Sequence, residues 1–344
     1  PPALQLHLLA EKLDLSTEVP GLPPLDASID LTGSLDEYQG TLRLATSGTG
    51  IRSGSLAGTV SGTREEISLR LDKGAWLDGT LTGAVHAQWS DGLNLAAKLS
   101  GRNIQPSRIS PAWDGVVNLD VEGELRKPEA ASLCGKIEGT LLASRLRGRQ
   151  LTGELSAGID DQDIILHRLL LRGKGFDIKA SGSLARKIDF ALLADDLGGL
   201  VPESAGTLRL SGELRRRKGL IGGTVRGTAG NLRVDSLRAG SVLLSAELSE
   251  SAEHALELHC SAQDMAYDTF EIRKASLDIL GTLLRHRISL AFSSPGVSAN
   301  TSLEGKYTNG SWLGYITALS GTDGIGPWRM AEPVALTVSS RRIT

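Results

Sequence analysis

Apolar and polar residues alternate with a period of two along most of the chain. In residues 93–99, 117–125 and 208–214, every second residue is aliphatic or glycine. Strict alternation is typical of strands with one apolar and one wet face, and such sheets are usually antiparallel. We therefore predict an all-β, antiparallel fold. The predicted strands are residues 29–35, 40–44, 56–62, 67–71, 81–89, 93–99, 117–125, 137–141, 151–159, 176–184, 208–214, 242–248, 256–262 and 297–303.

A longer repeat runs through this pattern. Three times, an alternating strand ends in a proline-containing break and a second alternating strand follows, and a fourth copy is weaker. Each copy has a glycine in its second strand, and these glycines are Gly33, Gly123, Gly212 and Gly305. They lie 90, 89 and 93 residues apart, and a fixed period indicates a repeat architecture.

The repeat predicts one continuous segment over residues 1–344. Its units are expected near residues 1–90, 91–180 and 181–270, with a partial unit at 271–344. Two of the breaks, residues 103–109 and 195–200, are expected to form single helical turns.

A shorter motif, apolar–x–glycine–x–apolar, is nested in the predicted strands. It occurs at residues 31–35, 56–60, 81–85, 121–125, 137–141, 151–155, 180–184, 210–214 and 303–307. Glycine within a strand lowers stability and has no side chain to pack, so its recurrence needs a reason. One reason is that glycine lets strands bend, and the other is close backbone approach. Extra space along the apolar face is compatible with both.

Composition and charge exclude several classes of protein. The chain has 37 basic and 40 acidic residues and a net charge of −3. Nucleic-acid-binding proteins usually have a clear excess of basic residues, so this composition argues against that class. The two cysteines, Cys134 and Cys260, do not form a disulfide framework. No apolar run approaches the length that spans a bilayer. Because the chain starts at Pro1 without a signal peptide, we expect an internal fragment of a longer protein.

The sequence shows no constellation of catalytic or ligand-binding residues. The six histidines are scattered, and no phosphate-binding loop, zinc-protease motif or nucleophile elbow is present. Asp195 and Asp196 could supply paired carboxylates, but a turn explains them equally well. We therefore expect no enzymatic activity, no cofactor and no metal.

A large uncovered apolar face would be unusual for a soluble protein. The sheet must either fold on itself or enclose apolar ligands such as lipid chains. The predicted lining of such a groove is Ile29, Leu31, Leu35, Leu56, Val60, Leu81, Val85, Leu95, Leu99, Leu119, Val121, Leu125, Ile137, Leu141, Leu155, Ile178, Phe190, Leu192, Leu208, Leu210, Leu214, Leu244, Leu256, Leu258, Ile288 and Leu290.

Several segments resemble the TamB/AsmA-like proteins of Gram-negative bacteria. The breaks at residues 101–115 and 194–202 are similar to recurring loops of that family, and residues 312–315 and 326–336 resemble a pattern typical of its TamB branch. The resemblance covers nearly the whole chain. It implies an elongated, curved sheet, a β-taco or half-pipe with an apolar inner surface, in the periplasm.

The resemblance also implies function and partners. A member of this family would be anchored in the inner membrane by an N-terminal segment not seen here. It would carry phospholipid acyl chains towards the outer membrane and support outer-membrane biogenesis, with an outer-membrane barrel partner (TamA/BamA-like). Two alternatives stay open, namely a scaffold for outer-membrane protein or autotransporter assembly and a structural β-solenoid stalk.

Overall fold

The structure is a computed structural model that describes residues 4–13, 24–34, 36–47, 53–129, 132–161, 163–217, 220–250, 255–282, 284–308 and 310–339. Well over half of the chain lies in strands. Within the described ranges, the helical segments are two 3-10 turns, Pro106–Arg108 and Leu197–Gly199. Both lie inside the segments predicted to form helical turns, so that prediction is confirmed. The chain divides into two compact units, Pro1–Lys174 and Gly175–Thr344.

Unit 1 consists of the strands β1 to β11. Their bounds are β1 Leu4–Leu13, β2 Leu25–Gly33, β3 Tyr38–Ser47, β4 Ser53–Gly62, β5 Glu66–Trp76, β6 Gly79–Gln88, β7 Leu93–Ile104, β8 Gly115–Lys127, β9 Cys134–Leu146, β10 Arg149–Asp160 and β11 Asp163–Gly173.

Unit 2 consists of the strands β12 to β23. Their bounds are β12 Phe176–Ser183, β13 Lys187–Ala194, β14 Ser204–Arg217, β15 Leu220–Val234, β16 Leu237–Leu248, β17 Leu256–Tyr267, β18 Phe270–Thr282, β19 Arg285–Ser294, β20 Val297–Thr308, β21 Ser311–Thr322, β22 Pro327–Arg329 and β23 Val334–Ser339.

Within each unit, the strands form an antiparallel meander. In unit 1 each strand pairs with the next along the chain, from β1–β2 to β10–β11. Unit 2 follows the same rule from β12–β13 onwards, and at its end β21 pairs with both β22 and β23. The predicted all-β, antiparallel fold class is confirmed. The stalk alternative is wrong as a fold, since a β-solenoid stacks its rungs in parallel.

Two of the most buried apolar side chains of unit 1 lie in the β5–β6 turn and at the end of β7. Leu77 and Ile104 are each 4% exposed, and the 3-10 turn follows directly, with Pro106 at its first position. The backbone N–H of Gln105 donates to the carbonyl of Leu77 at 2.9 Å. Arg108 Nε donates to Asp78 at 2.6 Å. These two hydrogen bonds hold the 3-10 turn against the turn between β5 and β6.

Unit 2 repeats this arrangement at the end of β13. Ala194 is 1% exposed and Leu197, the first residue of the second 3-10 turn, is 5% exposed. Asp196 caps the turn, because its carboxylate accepts from the backbone N–H of Gly198 at 3.0 Å. The paired aspartates at this position therefore include a structural turn residue.

Candidate functional site: an uncharged apolar face

The register of unit 1 aligns the apolar positions of its strands into rows that cross the sheet. Residues directly opposite each other in antiparallel strands lie on the same face, so the pairings can be followed from strand to strand. One row is Leu6, Leu31, Gly40, Val60, Leu69, Val85, Ala97, Gly123, Ile137, Ala157 and Leu166. A second row is Leu8, Ile29, Leu42, Gly58, Leu71, Gly83, Leu99, Val121, Gly139, Leu155 and Leu169.

Two further rows flank these on the same face. One begins at Ala10 and Ala27 and continues through Leu44, Leu56, Gly74, Leu81, Gly101, Leu119, Leu141, Gly153 and Leu171. The other contains Gly33, Tyr38, Gly62, Ile67, Ala87, Leu95, Leu125, Gly135, Ile159 and Ile164. All four rows lack aspartate, glutamate, lysine and arginine. We call this surface the apolar face of unit 1.

Unit 2 has an equivalent apolar face. Its rows are Phe176–Ala194–Leu208–Ala229–Val242–Ala262–Ala275–Phe292–Ala299, then Ile178–Leu192–Leu210–Gly227–Leu244–Cys260–Leu277–Leu290–Thr301, then Ala180–Phe190–Gly212–Val225–Ala246–Leu258–Ile279–Ile288–Leu303, then Gly182–Ile188–Leu214–Gly223–Leu248–Leu256–Gly281–His286–Gly305. These rows too carry no aspartate, glutamate, lysine or arginine. Cys260, Thr301 and His286 interrupt them.

The apolar faces are only partly covered within the described chain. Leu8, Leu99 and Ile137 in unit 1 are 43%, 39% and 41% exposed. Leu214 and Leu290 in unit 2 are 41% and 42% exposed. Rows of half-exposed leucines form a far larger apolar surface than the few hundred Å² that monomeric soluble proteins usually leave uncovered. A surface of this kind is typical of sites that contact another apolar surface.

The recurrent glycines lie on the apolar face, as the period of two requires. Gly123, Gly139, Gly153 and Gly212 share that face with the leucines two residues further along their strands. A methyl group at Gly212 would overlap the carbonyl oxygen of Thr224 and Phe190 Cζ, and one at Gly83 would overlap the carbonyl oxygen of Lys98 and Leu99 Cδ2. At Gly139 the nearest atoms would lie 3.6 Å from such a methyl group, which is ordinary contact. Close approach within the sheet thus accounts for Gly83 and Gly212 but not for Gly139.

His286 is the one titratable imidazole in the rows of unit 2, and it is satisfied locally. The indole Nε1–H of Trp312 donates to its Nε2 at 2.6 Å, and its Nδ1 lies 2.9 Å from the carbonyl of Thr282. Because Nε2 accepts the indole proton, Nδ1 carries the hydrogen that is donated to the carbonyl of Thr282. The polar atoms of both rings are therefore engaged with each other or with the backbone.

The opposite face of each unit, here called the polar face, carries the charges. Lys98 and Glu122 pair at 3.6 Å and Arg168 and Glu154 at 3.1 Å. Asp120 accepts from Ser100 Oγ at 2.6 Å. Hydrogen bonds from Ser100 and then Arg102 lower the pKa of this carboxyl. These groups form mixed-sign pairs with high exposure, which is typical of a solvated sheet face.

The predicted groove residues all fall on the apolar faces, except Leu35, which lies outside the described residues. Whether those faces form a closed or curved groove stays a prediction. Two concavities of about 570 and 310 Å³ are lined mainly by polar-face residues. Among the described residues, no group of three or more histidine, cysteine, aspartate or glutamate side chains is placed to hold a metal ion. Likewise, no helix in the described ranges is long and apolar enough to cross a bilayer.

Sequence reasoning missed part of the apolar face. In β11 the apolar residues Ile164, Leu166, Leu169 and Leu171 share the face, although they do not alternate along the sequence. Ser156 pairs with Arg168 and Ala157 pairs with Leu166, so His167 has no partner on β10 and forms a bulge. This extra residue reverses the alternation, so Leu169 and Leu171 lie on the same face as Ile164 and Leu166. By contrast, Leu42 and Leu44 do alternate and could have been included from the sequence.

Comparison with known proteins assigns the chain to a family. The family profile described as "TamB, N-terminal domain" matches residues 4–343. No solved structure matches the chain. The match covers the strands of both units, including the uncharged rows described above. The chain therefore belongs to the TamB family of periplasm-spanning proteins of the bacterial envelope.

Proposed function

We propose that the apolar faces hold phospholipid acyl chains, and that the protein carries phospholipids between the inner and outer membranes in support of outer-membrane biogenesis. The observation that carries this proposal is the absence of charged side chains from the rows of both apolar faces. The envelope role of the family supports it. As a bridge between the two membranes, the protein would be anchored in the inner membrane.

The physical chemistry of the face suits hydrocarbon. An acyl chain gains about 0.8 kcal/mol for each methylene removed from water, so retaining it is not difficult. Moving it requires that no polar barrier or deep trap interrupts the path. Rows of similar aliphatic residues, repeated at a strand spacing of about 4.8 Å, offer a series of nearly equal positions.

A matched pair of substitutions tests this proposal. Leu290 lies on the apolar face between Leu277 and Thr301, and Leu280 lies on the polar face between Glu257 and Arg287. The two leucines are 42% and 46% exposed, so replacing either with aspartate removes a similar hydrophobic contribution. Only Leu290→Asp places a charge beside hydrocarbon, where an unpaired carboxylate is costly.

The expected result is a face-specific loss. Phospholipid that copurifies with the full-length protein, measured by mass spectrometry of extracted lipid, should fall in Leu290→Asp and stay at the normal level in Leu280→Asp. Cells with the first variant should supply less phospholipid to the outer membrane. If both variants fold and retain equal lipid and equal lipid supply, the conduit proposal is wrong.

A second candidate function is a scaffold for outer-membrane protein or autotransporter assembly, with an outer-membrane barrel partner (TamA/BamA-like). The family is linked to outer-membrane proteins. The observation that favours it is the open sheet of unit 1, in which the described pairings of β1 involve β2 alone. Unpaired backbone groups on a strand edge can accept another strand. This scaffold predicts normal lipid content in both aspartate variants and an assembly defect when proline replaces edge residues.

A further inference from the structure

The polar face of unit 2 contains a cluster of residues that takes no part in the proposed lipid path on the apolar face. On β13 to β16, one row runs Leu193, Arg209, Thr228, Leu243, and Arg226 lies two residues before Thr228 on β15. These side chains line the concavity of about 570 Å³. We call these five residues the basic patch. It faces away from the apolar rows, so its role is independent of the proposed lipid path.

The two arginines of the basic patch lack counter-charges. Neither Arg209 nor Arg226 has an ion pair or a hydrogen bond to another described residue, whereas Arg215 and Arg287 on the same face pair with Glu213 and Glu304. Nearby acidic groups are already engaged. Glu213 contacts Lys187 at 3.6 Å and Arg215 at 3.8 Å.

The histidine beside the patch is also engaged. His259 lies 2.5 Å from Asp278 and 2.8 Å from Glu257. Arg209 and Arg226 occupy diagonal positions on adjacent strands, a separation of about 7–8 Å between backbones. Two guanidinium groups at this separation can converge on one carboxylate, and their planar forks match carboxylate geometry.

Apolar side chains flank the arginines on both sides. Leu193 is 44% exposed and Leu243 is 55% exposed, although both lie on the polar face. Three strand spacings separate them, which is about 14 Å. In an extended peptide, residues i and i+4 on one face are separated by about the same distance, with residue i+2 midway between them.

We infer that the basic patch docks an extended peptide segment of a partner protein with the pattern aliphatic–x–acid–x–aliphatic. The central carboxylate binds Arg209 and Arg226, and the two aliphatic side chains contact Leu193 and Leu243. A single lipid has its charge at one end and its hydrocarbon at the other. The patch has apolar contacts on both sides of its charges, which favours the peptide.

A synthetic peptide tests the inference on the full 344-residue chain. The probe is a fluorescein-labelled peptide with the core Leu-Thr-Glu-Thr-Leu, and binding is followed by fluorescence anisotropy. We expect replacement of its glutamate by lysine to weaken binding at least about tenfold, because charge-assisted hydrogen bonds are lost. The double variant Arg209→Ala/Arg226→Ala should weaken binding of the glutamate peptide to a similar extent. Leu243→Ser should weaken it less.

Controls separate this site from general basicity and from lipid binding. Arg43→Ala, on the polar face of unit 1, should leave binding unchanged. The double variant Arg209→Lys/Arg226→Lys keeps the charge but loses the planar forks, so binding should be intermediate. The inference is overturned if the peptide does not bind, or if it binds the double alanine variant equally well. It is also overturned if phosphatidylglycerol vesicles, and not the peptide, bind in a manner that needs the two arginines.

Discussion

The hydroxyl of Ser144 replaces a missing backbone hydrogen-bonded pair between β8 and β9. Its removal should change the hydrogen-exchange rate of one backbone amide by an amount that can be calculated. The register shifts between Val116 and Leu119, so Asn118 has no direct partner on β9. Ser144 is 1% exposed. Its Oγ accepts from the backbone N–H of Asn118 at 2.9 Å and donates to the carbonyl of Asn118 at 3.1 Å.

Asn118 also links the strands on both of its sides. Its side-chain Oδ1 accepts from the backbone N–H of Asn103 at 2.8 Å, and its Nδ2 donates to the carbonyl of Ala143 at 2.6 Å. Asn103 has a positive φ of 56°, so it occupies a bulge on β7 that needs a polar partner for its N–H. The serine thus supports a residue that joins three strands.

Ser144→Ala leaves a buried N–H without a partner, which costs about 1–3 kcal/mol. Because 1.4 kcal/mol corresponds to a factor of ten, the Asn118 amide should exchange its hydrogen about fivefold to about a hundredfold faster. Site-resolved hydrogen exchange measures this directly, and it avoids the assumption that two units unfold in one step.

The controls are Ser144→Thr, which keeps the hydroxyl, and Ser61→Ala, which changes an exposed serine of β4. Both should leave the exchange rate of the Asn118 amide close to that of the unchanged protein. An unchanged rate in Ser144→Ala would refute the reasoning. So would equal acceleration in unit 2, because the effect would then not be local to β8 and β9.

Two further predictions concern unit 2. Gly212→Ala should destabilise unit 2 by about 1–3 kcal/mol in urea denaturation because the new methyl group overlaps the carbonyl oxygen of Thr224 and the ring of Phe190. Gly324→Ala, with open space around it, should be neutral, and equal effects would contradict the explanation. Hydrogen bonds from His259 to Glu257 and Asp278 raise the pKa of that imidazole. Its favourable contribution to folding is complete below the ordinary histidine pKa and is lost as the pH rises through the raised value. NMR titration should find this pKa above the ordinary range and lower in Asp278→Asn, and a pKa that does not change in the variant would count against the assigned partners.

The alternation of apolar residues was sufficient to predict the fold class and the faces of most strands. Val121 and Leu125, for example, are separated by an even number of residues with no bulge between them, so both lie on one face. The prediction failed where one inserted residue changed the phase, as at His167 in β11. Whether an extra residue is accommodated as a bulge depends on the neighbouring strand, and that strand is not specified locally.

The basic patch was not predictable from the sequence for a related reason. Arg209 and Arg226 are 17 positions apart, and each looks like one more charge on a wet face. They become neighbours only through the register of β14 against β15. Their lack of counter-charges depends on which acidic residues the strands beside them present. Such features depend on the alignment of four strands, whereas the apolar face of a strand without a bulge follows from its own alternation.

The meander topology has a consequence for the order in which each unit folds. In the described pairings within a unit, every strand bonds to strands that are close to it in the sequence, so contacts have a short sequence separation, which favours rapid folding. A unit can therefore form strand by strand from one end of its polypeptide. Each emerging strand meets an edge that the preceding strand has just made. No segment has to wait for the far end of the unit to arrive, and the growing edge is always the strand that was added last.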